Sequence, residues 1–197
     1  VGGLFLFNMR EKTDNFPDSY IMSLPYRNQG IAGRVTYSYK DRYFIEGNFG
    51  YNGSERFAKN ERFGLFPSIG AGWMISEEKF WNQDLKNIIN KLKLKGTYGL
   101  VGNDNIGAWN DRFFYMSEVN LNGSGANFSW GQDFERNVGT IDMIRYRNDK
   151  IKWEIAQKMN LGLEVGLFNI FDIQFDYFTE YRKNIFGERQ TLSLIHT

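Results

Sequence analysis

The chain has 197 residues, with 24 Lys and Arg against 23 Asp and Glu, a single His (His196) and no Cys. A formal net charge of +1 gives no basic field of the kind that binds a phosphate backbone, which argues against nucleic acid as a partner. The residue usage also argues against a disulfide framework, a thiolate site and histidine-based catalysis. No apolar run reaches the roughly 18 residues of a membrane helix, whereas 17% aromatic residues and 21 glycines suit strands and tight turns.

The first part of the chain alternates apolar and polar residues. An opening strand is expected near Leu4 to Met9, and from 31 to 40 the odd positions are apolar or aromatic. Lys40-Asp41 is predicted to form a tight turn, because the alternation restarts at once over 43–51. A period of two predicts strands with one apolar and one polar face.

A loop, a further strand and a helix are expected next. The charged segment 52–62 breaks the alternation, and 63–73 resumes it, with Pro67 predicting a bulge or bend. Ser76, followed by Glu77 and Glu78, predicts the start of a short amphipathic helix over 76–90. Its apolar residues recur at three-to-four spacing: Phe80, Trp81, Leu85, Ile88, Ile89 and Leu92.

The rest of the chain predicts three more strands and one long connection. A strand is expected over 92–100, and 102–150 is interpreted as a long loop that carries one short hairpin. Alternation is clearest over 153–167 and returns over 173–181, after a predicted turn at Phe168-Asn169. The total is about seven or eight strands.

Two solvents are compatible with such strands. In a soluble sandwich the apolar face packs on a second sheet; in an outer-membrane barrel it meets lipid, and the polar face lines a lumen. Three features favour the barrel: tight and long connections alternate, aromatic residues cluster near strand ends, and the polar faces mix glycines with opposite charges.

Several longer stretches carry a resemblance to a known family. They are Tyr39-Lys40-Asp41-Arg42-Tyr43, Tyr51 to Phe57, Phe66 to Trp73, Leu92 to Gly99, and Lys152-Trp153-Glu154. These stretches resemble the barrel of SusC/RagA-type TonB-linked outer-membrane transporters. The resemblance is strongest over 31–103 and 151–186 and weak over 104–150.

The resemblance implies an all-β fold, namely an antiparallel segment of a transmembrane β-barrel of about 22 strands, with one short helix on the periplasmic side. Residues 1–197 are then expected to be a partial barrel domain from the central to C-terminal part of a larger transporter, without its plug domain and TonB box. Tyr39, Tyr43 and Trp73 would be interfacial anchors, and Lys40-Asp41 a periplasmic turn.

For function, the resemblance implies a bacterial outer-membrane protein that is not an enzyme. It would import oligosaccharides or peptides together with a SusD-like surface lipoprotein. Its other partners would be outer-membrane lipid and, through the missing N-terminal part, the TonB complex.

Candidate site residues are few. Trp109, Tyr115, Phe128 and Trp130 could stack on a ligand or contact a partner at the long loop, or serve only loop packing. No catalytic residue or cofactor site is expected. No metal site is expected either, because Asn103 to Gly107 lacks the complete ligand spacing of a calcium loop. Five carboxylates are expected to line a lumen wall rather than to form a glycosidase pair: Glu154, Glu164, Asp172, Asp176 and Glu180.

Two alternatives remain open at this point. The chain could be a complete small outer-membrane barrel of about eight strands with an adhesion or structural role. It could also be a secreted carbohydrate-binding β-sandwich.

Overall fold

Strands make up most of the protein. The computed structural model describes residues 1–17, 20–107, 112–130, 132–133 and 136–187. These residues contain nine strands: β1 (Gly2–Lys12), β2 (Tyr26–Tyr39), β3 (Tyr43–Ser54), β4 (Phe63–Met74), β5 (Ile89–Asn103), β6 (Glu118–Trp130), β7 (Arg136–Arg145), β8 (Glu154–Leu167) and β9 (Phe171–Lys183). They also contain two short helices and a 3-10 turn: α1 (Tyr20–Ser23), α2 (Gln83–Ile88) and the turn Ile75–Glu77.

Seven strands form one antiparallel sheet in the order β1-β2-β3-β4-β5-β8-β9. β6 and β7 pair with each other in the connection between β5 and β8. This confirms the expected hairpin, although its strands of 13 and 10 residues make it longer than predicted. Among the described residues β1 and β9 are the two edges of an open sheet. The sheet is therefore a wall and does not close into a small barrel.

The strand register puts the apolar positions of neighbouring strands on one face. Tyr37 of β2 lies opposite Ile45 of β3, which lies opposite Ala71 of β4. The polar positions between them, such as Thr36 and Glu46, are likewise paired. A slip of one residue would exchange the two faces, so the alternating pattern itself specifies this register.

The two faces have different surroundings. Large apolar side chains of one face are exposed: Phe5, Phe7, Val35, Ile45, Phe49, Leu65, Ile69, Leu161, Ile173 and Phe175. Polar side chains of the other face line a trough of about 720 Å³. The sheet thus curves towards its polar face. A sandwich would bury the apolar face under a second sheet, so this exposure does not fit that alternative.

Both predicted tight turns are present at one end of the sheet. Lys40 and Asp41 have φ angles of 52° and 53°, and the Arg42 N–H donates to the Tyr39 carbonyl at 3.1 Å. Phe168 and Asn169 have φ angles of 54° and 56° and form the equivalent turn before β9. Positive φ at both central residues matches the twist of antiparallel strands. The connections after β1, β3 and β5 lie at the opposite end, and the connection between β4 and β5, which carries α2, is the one longer segment at the tight-turn end among the described residues.

The helix predicted over 76–90 is much shorter in the structure. The segment starts as the 3-10 turn Ile75–Glu77, and α2 begins only at Gln83. Ile89 already belongs to β5, where it lies opposite Leu167. Pairing with β8 therefore overrides the helical periodicity at the end of this segment. Within the ranges that the structure describes, no helix is long and apolar enough to cross a membrane.

Pro67 lies inside β4 without interrupting its pairing with β3. Phe49 lies opposite Pro67, and the register of the two strands is continuous over residues 43–53 of β3. Of the bulge or bend predicted at Pro67, the bulge is therefore wrong on the β3 side, and the bend stays a prediction. The pairing of β4 with β5, in contrast, covers only Ser68 to Met74 of β4. Because proline has no N–H for a ladder, it is tolerated where the β4–β5 ladder ends.

Candidate functional site

Ion pairs connect neighbouring strands across the polar face. The Glu164 carboxylate of β8 accepts from Lys91 Nζ at 2.8 Å and from Lys95 Nζ at 3.1 Å, and both lysines belong to β5. Lys95 Nζ also lies 3.6 Å from Asp176 Oδ1 of β9. Two cations and two carboxylates thus join three strands, which keeps this part of the wall locally neutral.

Two more of the predicted wall carboxylates, Glu154 and Glu180, are also paired with cations. Lys158 Nζ lies 3.4 Å from Glu180 Oε2, and Arg182 bridges Glu180 and Glu154. These carboxylates contact cations, whereas glycoside hydrolysis uses a pair of carboxyl groups that flank the scissile bond. The geometry thus supports a polar wall and not a hydrolytic pair.

A small aromatic core closes the long-connection end of the sheet. The Trp153 ring lies 5.2 Å from the ring centres of both Phe57 and Phe66, and its Nε1–H donates to the Arg62 carbonyl at 3.2 Å. Phe57 is 1% exposed and Ile106 is 2% exposed. Because Phe66 belongs to the inner face of β4, this core fixes the long connections to the sheet.

Arg112 holds three connections together beside this core. Its guanidinium donates to the carbonyls of Leu24 and Pro25 at 2.8 and 2.9 Å, and it also contacts the Glu55 carboxylate. The side chain is 9% exposed. The guanidinium carbon lies 4.7 Å from the ring centre of Phe113, a favourable cation–π distance.

Arg56 extends this arrangement. The Tyr26 ring lies 5.6 Å from the guanidinium carbon of Arg56 and 5.7 Å from that of Arg112, and the Tyr26 hydroxyl donates to Asp104 Oδ2 at 2.9 Å. Arg56 Nη1 donates to the carbonyls of Asp104 and Ile106 at 3.3 Å. We call this group the arginine clasp: Tyr26, Glu55, Arg56, Asp104 and Arg112.

Sequence reasoning missed the arginine clasp. Its hydrogen bonds join residues 48 to 88 positions apart, such as Arg56 with Asp104 and Arg112 with Leu24. A cluster of Arg residues near loop ends was the available signal, but arginines are usually exposed. The Asn103 side-chain oxygen accepts from the Asn105 N–H at 3.0 Å, so this segment forms a local turn. In the described segments no group of three or more His, Cys, Asp or Glu could hold a metal ion.

The four predicted loop contacts are only partly described. Trp109 lies outside the described residues. Phe128 and Trp130 belong to β6, opposite Val138 and Arg136 of β7, and their side chains lie outside the described part of the structure. A role for these three residues in ligand or partner contact stays a prediction.

Tyr115 is half-buried and lines a cleft of about 500 Å³ at the long-connection end. Its ring lies edge-on to Phe113, with 5.9 Å between ring centres. Polar and charged residues line the same cleft: Arg10, Glu11, Arg27, Asn28, Glu55 and Arg62. An aromatic ring beside such groups suits a polar ligand with flat or apolar faces.

Glu78 organises the tight-turn end. Its Oε1 accepts from the Tyr43 hydroxyl at 2.5 Å and from Trp73 Nε1–H at 3.1 Å, and its Oε2 lies 3.5 Å from Arg42 Nη1. The bonds from Tyr43 and then Trp73, together with Arg42, hold the pKa of Glu78 below its ordinary value, against the opposing effect of burial. Tyr43 and Trp73 are stacked with 6.4 Å between ring centres. The aromatic pair predicted as anchors thus has a shared polar partner.

Comparison with known proteins places this wall in a family. The chain is 34% identical over 137 residues to the TonB-dependent receptor SusC of Bacteroides thetaiotaomicron, over 70% of this chain and 13% of the relative. It is 29% identical over 150 residues to a TonB-dependent receptor of Formosa agariphila, over 76% of this chain and 14% of the relative. The chain belongs to the SusC/RagA family of TonB-dependent receptors. No protein-family model matches the sequence.

Solved structures agree with the SusC/RagA barrel at the level of fold. The RagAB peptide importer in its closed-closed state is 21% identical and superimposes with a TM-score of 0.64, over 82% of this chain and 16% of that chain. The open-open state is 24% identical with a TM-score of 0.63, over 88% of this chain and 18% of that chain. The names of these relatives are those of receptors and an importer, and not of enzymes.

The chain spans less than a fifth of the length of the relatives that it matches. What the structure describes of the SusC/RagA barrel is a wall of seven strands with its connections. The wall has a curved polar face, an apolar outer face, a clasped long-connection end and an aromatic tight-turn end.

Proposed function

We propose that this chain is part of the barrel wall of a bacterial outer-membrane importer that is driven by TonB. The importer takes up oligosaccharides or peptides and works with a SusD-like surface lipoprotein. Energy reaches it from the TonB complex through an N-terminal plug and TonB box outside these residues. The polar face lines the lumen, and the apolar face meets outer-membrane lipid.

One observation carries this proposal: the sheet exposes large apolar side chains on one face and lines an open trough with polar side chains of the other face. Water on both sides would leave side chains such as Phe49, Leu65 and Ile69 without an apolar environment. A transmembrane barrel supplies lipid on the outside and water on the inside. Ion pairs such as Lys91–Glu164 suit a wet but crowded lumen.

Similarity supports the choice of substrate class and partner. A solved structure that the chain resembles is titled a peptide importer, and the family resemblance of the sequence implies oligosaccharides as the second class to test. The cleft beside Tyr115 and the aromatic residues Trp109, Phe128 and Trp130 are the candidate contacts for substrate or for the lipoprotein. The arginine clasp supports this role because it fixes the connections that carry them.

The test uses the full-length protein in its own cells. A strain without this protein is compared with wild type for uptake of labelled oligosaccharide and peptide pools. A second strain with TonB inactivated receives the same pools. Affinity purification from detergent-solubilised outer membranes shows whether a surface lipoprotein co-purifies.

We expect the protein in the outer-membrane fraction, a co-purified lipoprotein, and loss of uptake of one pool in both strains. Uptake that is lost without this protein but unchanged without TonB would contradict TonB-driven import. Recovery of the protein in a soluble fraction would contradict the barrel wall itself.

A further inference from the structure

Six large apolar side chains are exposed in two neighbouring connections at the tight-turn end. They are Phe80, Leu85, Ile88, Phe168, Ile170 and Phe171. We call them the rim patch. The first three precede β5 and the last three surround the turn between β8 and β9. Their exposure ranges from 40% for Leu85 to 76% for Ile170, so the described residues of this chain leave them uncovered.

Backbone bonds hold the two connections side by side. The Phe168 N–H donates to the Ile88 carbonyl at 2.9 Å, and the Asn169 N–H donates to Asn90 Oδ1 at 3.4 Å. Ile89 lies opposite Leu167 in the sheet. The rim patch is therefore one surface, built by residues about 80 positions apart.

Among the described residues, nothing covers the apolar side of α2. Leu85 and Ile88 are three residues apart and share one side of the helix, away from Gln83. A polar residue of α2, Lys86, is instead held to the preceding 3-10 turn, because its Nζ lies 3.3 Å from Glu77 Oε1. An amphipathic helix normally buries its apolar side, and here that side faces outwards.

The turn beside α2 carries an apolar residue where a polar one or glycine is favoured. Phe168 has a φ of 54°, a left-handed conformation in which a bulky side chain costs free energy. The equivalent turn at the start of β3 uses Lys40 and Asp41. A phenylalanine that is both strained and 54% exposed indicates apolar surroundings for this turn.

We propose that the rim patch lies in the headgroup region of the periplasmic leaflet and binds the lipid surface. The patch is continuous with the apolar outer face, because Phe171 begins β9 and is followed on the same face by Ile173 and Phe175. The stacked Tyr43 and Trp73 point polar atoms at Glu78 beside it, as aromatic residues do at a membrane interface. This inference rests on the proposed function.

An interfacial helix of this kind binds by burying its apolar side to a depth of a few ångströms below the headgroups. Lys79 is exposed next to Phe80 and can reach lipid phosphates from there. The connection before β5 thus binds the lipid surface and does not project freely into the periplasm.

Lipid quenching of a local fluorophore tests the rim patch. Single cysteines are placed in the full-length protein at Leu85→Cys and Ile88→Cys, with Gln83→Cys as a control on the other side of the same helix. Each is labelled with an environment-sensitive dye and reconstituted in phosphatidylethanolamine–phosphatidylglycerol vesicles. Quenching by lipids brominated near the glycerol backbone, or near the acyl-chain end for the reference at position 69, is compared with quenching by aqueous iodide. Ile69→Cys and Thr97→Cys serve as references on the outer and polar faces.

We expect several-fold stronger quenching by brominated lipid at positions 85 and 88 than at 83, with the opposite order for iodide. Equal quenching at all three positions would overturn the inference. Protection from both quenchers at 85 and 88 would also overturn it, since a protein partner would then cover the patch. The reference at position 69 separates the rim-patch inference from the proposed function. Strong quenching by brominated lipid at position 69 leaves the proposed function standing whatever the rim patch does. No quenching there contradicts both the proposed function and the rim-patch inference.

Discussion

Glu78 is the residue on which the tight-turn end depends. It accepts hydrogen bonds from Tyr43 and Trp73, which belong to β3 and β4, and it lies near Arg42 of the preceding turn. Two strands and two connections thus meet at one carboxylate. All three partners favour its charged form, so the arrangement depends on pH.

Acid is expected to weaken the wild-type protein more than a Glu78→Gln variant. Because the pKa of Glu78 is lower in the folded than in the unfolded protein, its contribution to stability is complete above the unfolded value of about 4.3 and is lost as the pH falls through the lowered folded value. Urea unfolding in lipid vesicles at a series of acidic pH values measures this. The same loss of stability in both proteins would rule out Glu78 as its source.

The turn at Lys40-Asp41 gives a second prediction at the residue scale. Asp41 has a φ of 53°, which Asp tolerates and a β-branched residue does not. Asp41→Val is therefore expected to destabilise the protein by about 1 to 2 kcal/mol, whereas Asp41→Gly should be neutral or slightly stabilising. Equilibrium unfolding of the three proteins compares them, and a neutral valine variant would argue against the left-handed turn.

At the scale of elements, the arginine clasp determines how the long connections are held. Arg112 is mostly buried and donates to backbone carbonyls of the connection before β2 and to the carboxylate that follows β3. Such connections are usually the least stable parts of a barrel. Here the buried guanidinium of Arg112 fixes the connections before β2 and after β3 to the connection between β5 and β8.

Loss of Arg112 should release these connections while the sheet stays folded. Removing one partner of a largely buried ion pair costs about 3 to 5 kcal/mol, so Arg112→Met should raise amide exchange over 13–25, 55–62 and 112–117. Arg147→Gln is the matched control, because Arg147 pairs with Asp149 at an exposed position. Exchange that rises equally in both variants, or in neither, would contradict the clasp.

The strands could be predicted from the sequence because their information is local. Alternation from Tyr43 to Tyr51 and from Met159 to Leu167 specifies which face each side chain takes, and the two tight turns follow from where the alternation restarts. The prediction of a helix over 76–90 was wrong in its extent, because periodicity alone cannot show that Ile89 pairs with Leu167 in the sheet. The arginine clasp could not be predicted, because its contacts join distant residues that have no shared local pattern.

For the molecule as a whole, the proposed role as a barrel wall depends on which face of the sheet meets lipid. Ile69 is 59% exposed on the apolar face, and it lies opposite Gly47 and Tyr98. It is four residues from Trp73, which corresponds to about 13 Å along the strand. Because the strands of such barrels tilt by about 40°, this is about 10 Å along the membrane normal, well inside the roughly 25 Å apolar band. Thr97 is exposed near the same height on the polar face, opposite Gly70 and Asn160.

The most direct test measures the free energy of folding into lipid vesicles for the full-length protein and for two arginine variants. For a barrel wall in a membrane, we expect Ile69→Arg to cost about 2 to 4 kcal/mol of folding free energy, because the charge then lies near the bilayer midplane. Thr97→Arg should cost less than about 1 kcal/mol. A mild effect of Ile69→Arg, or complete folding of all three proteins in buffer without lipid or detergent, would contradict a barrel wall in a membrane.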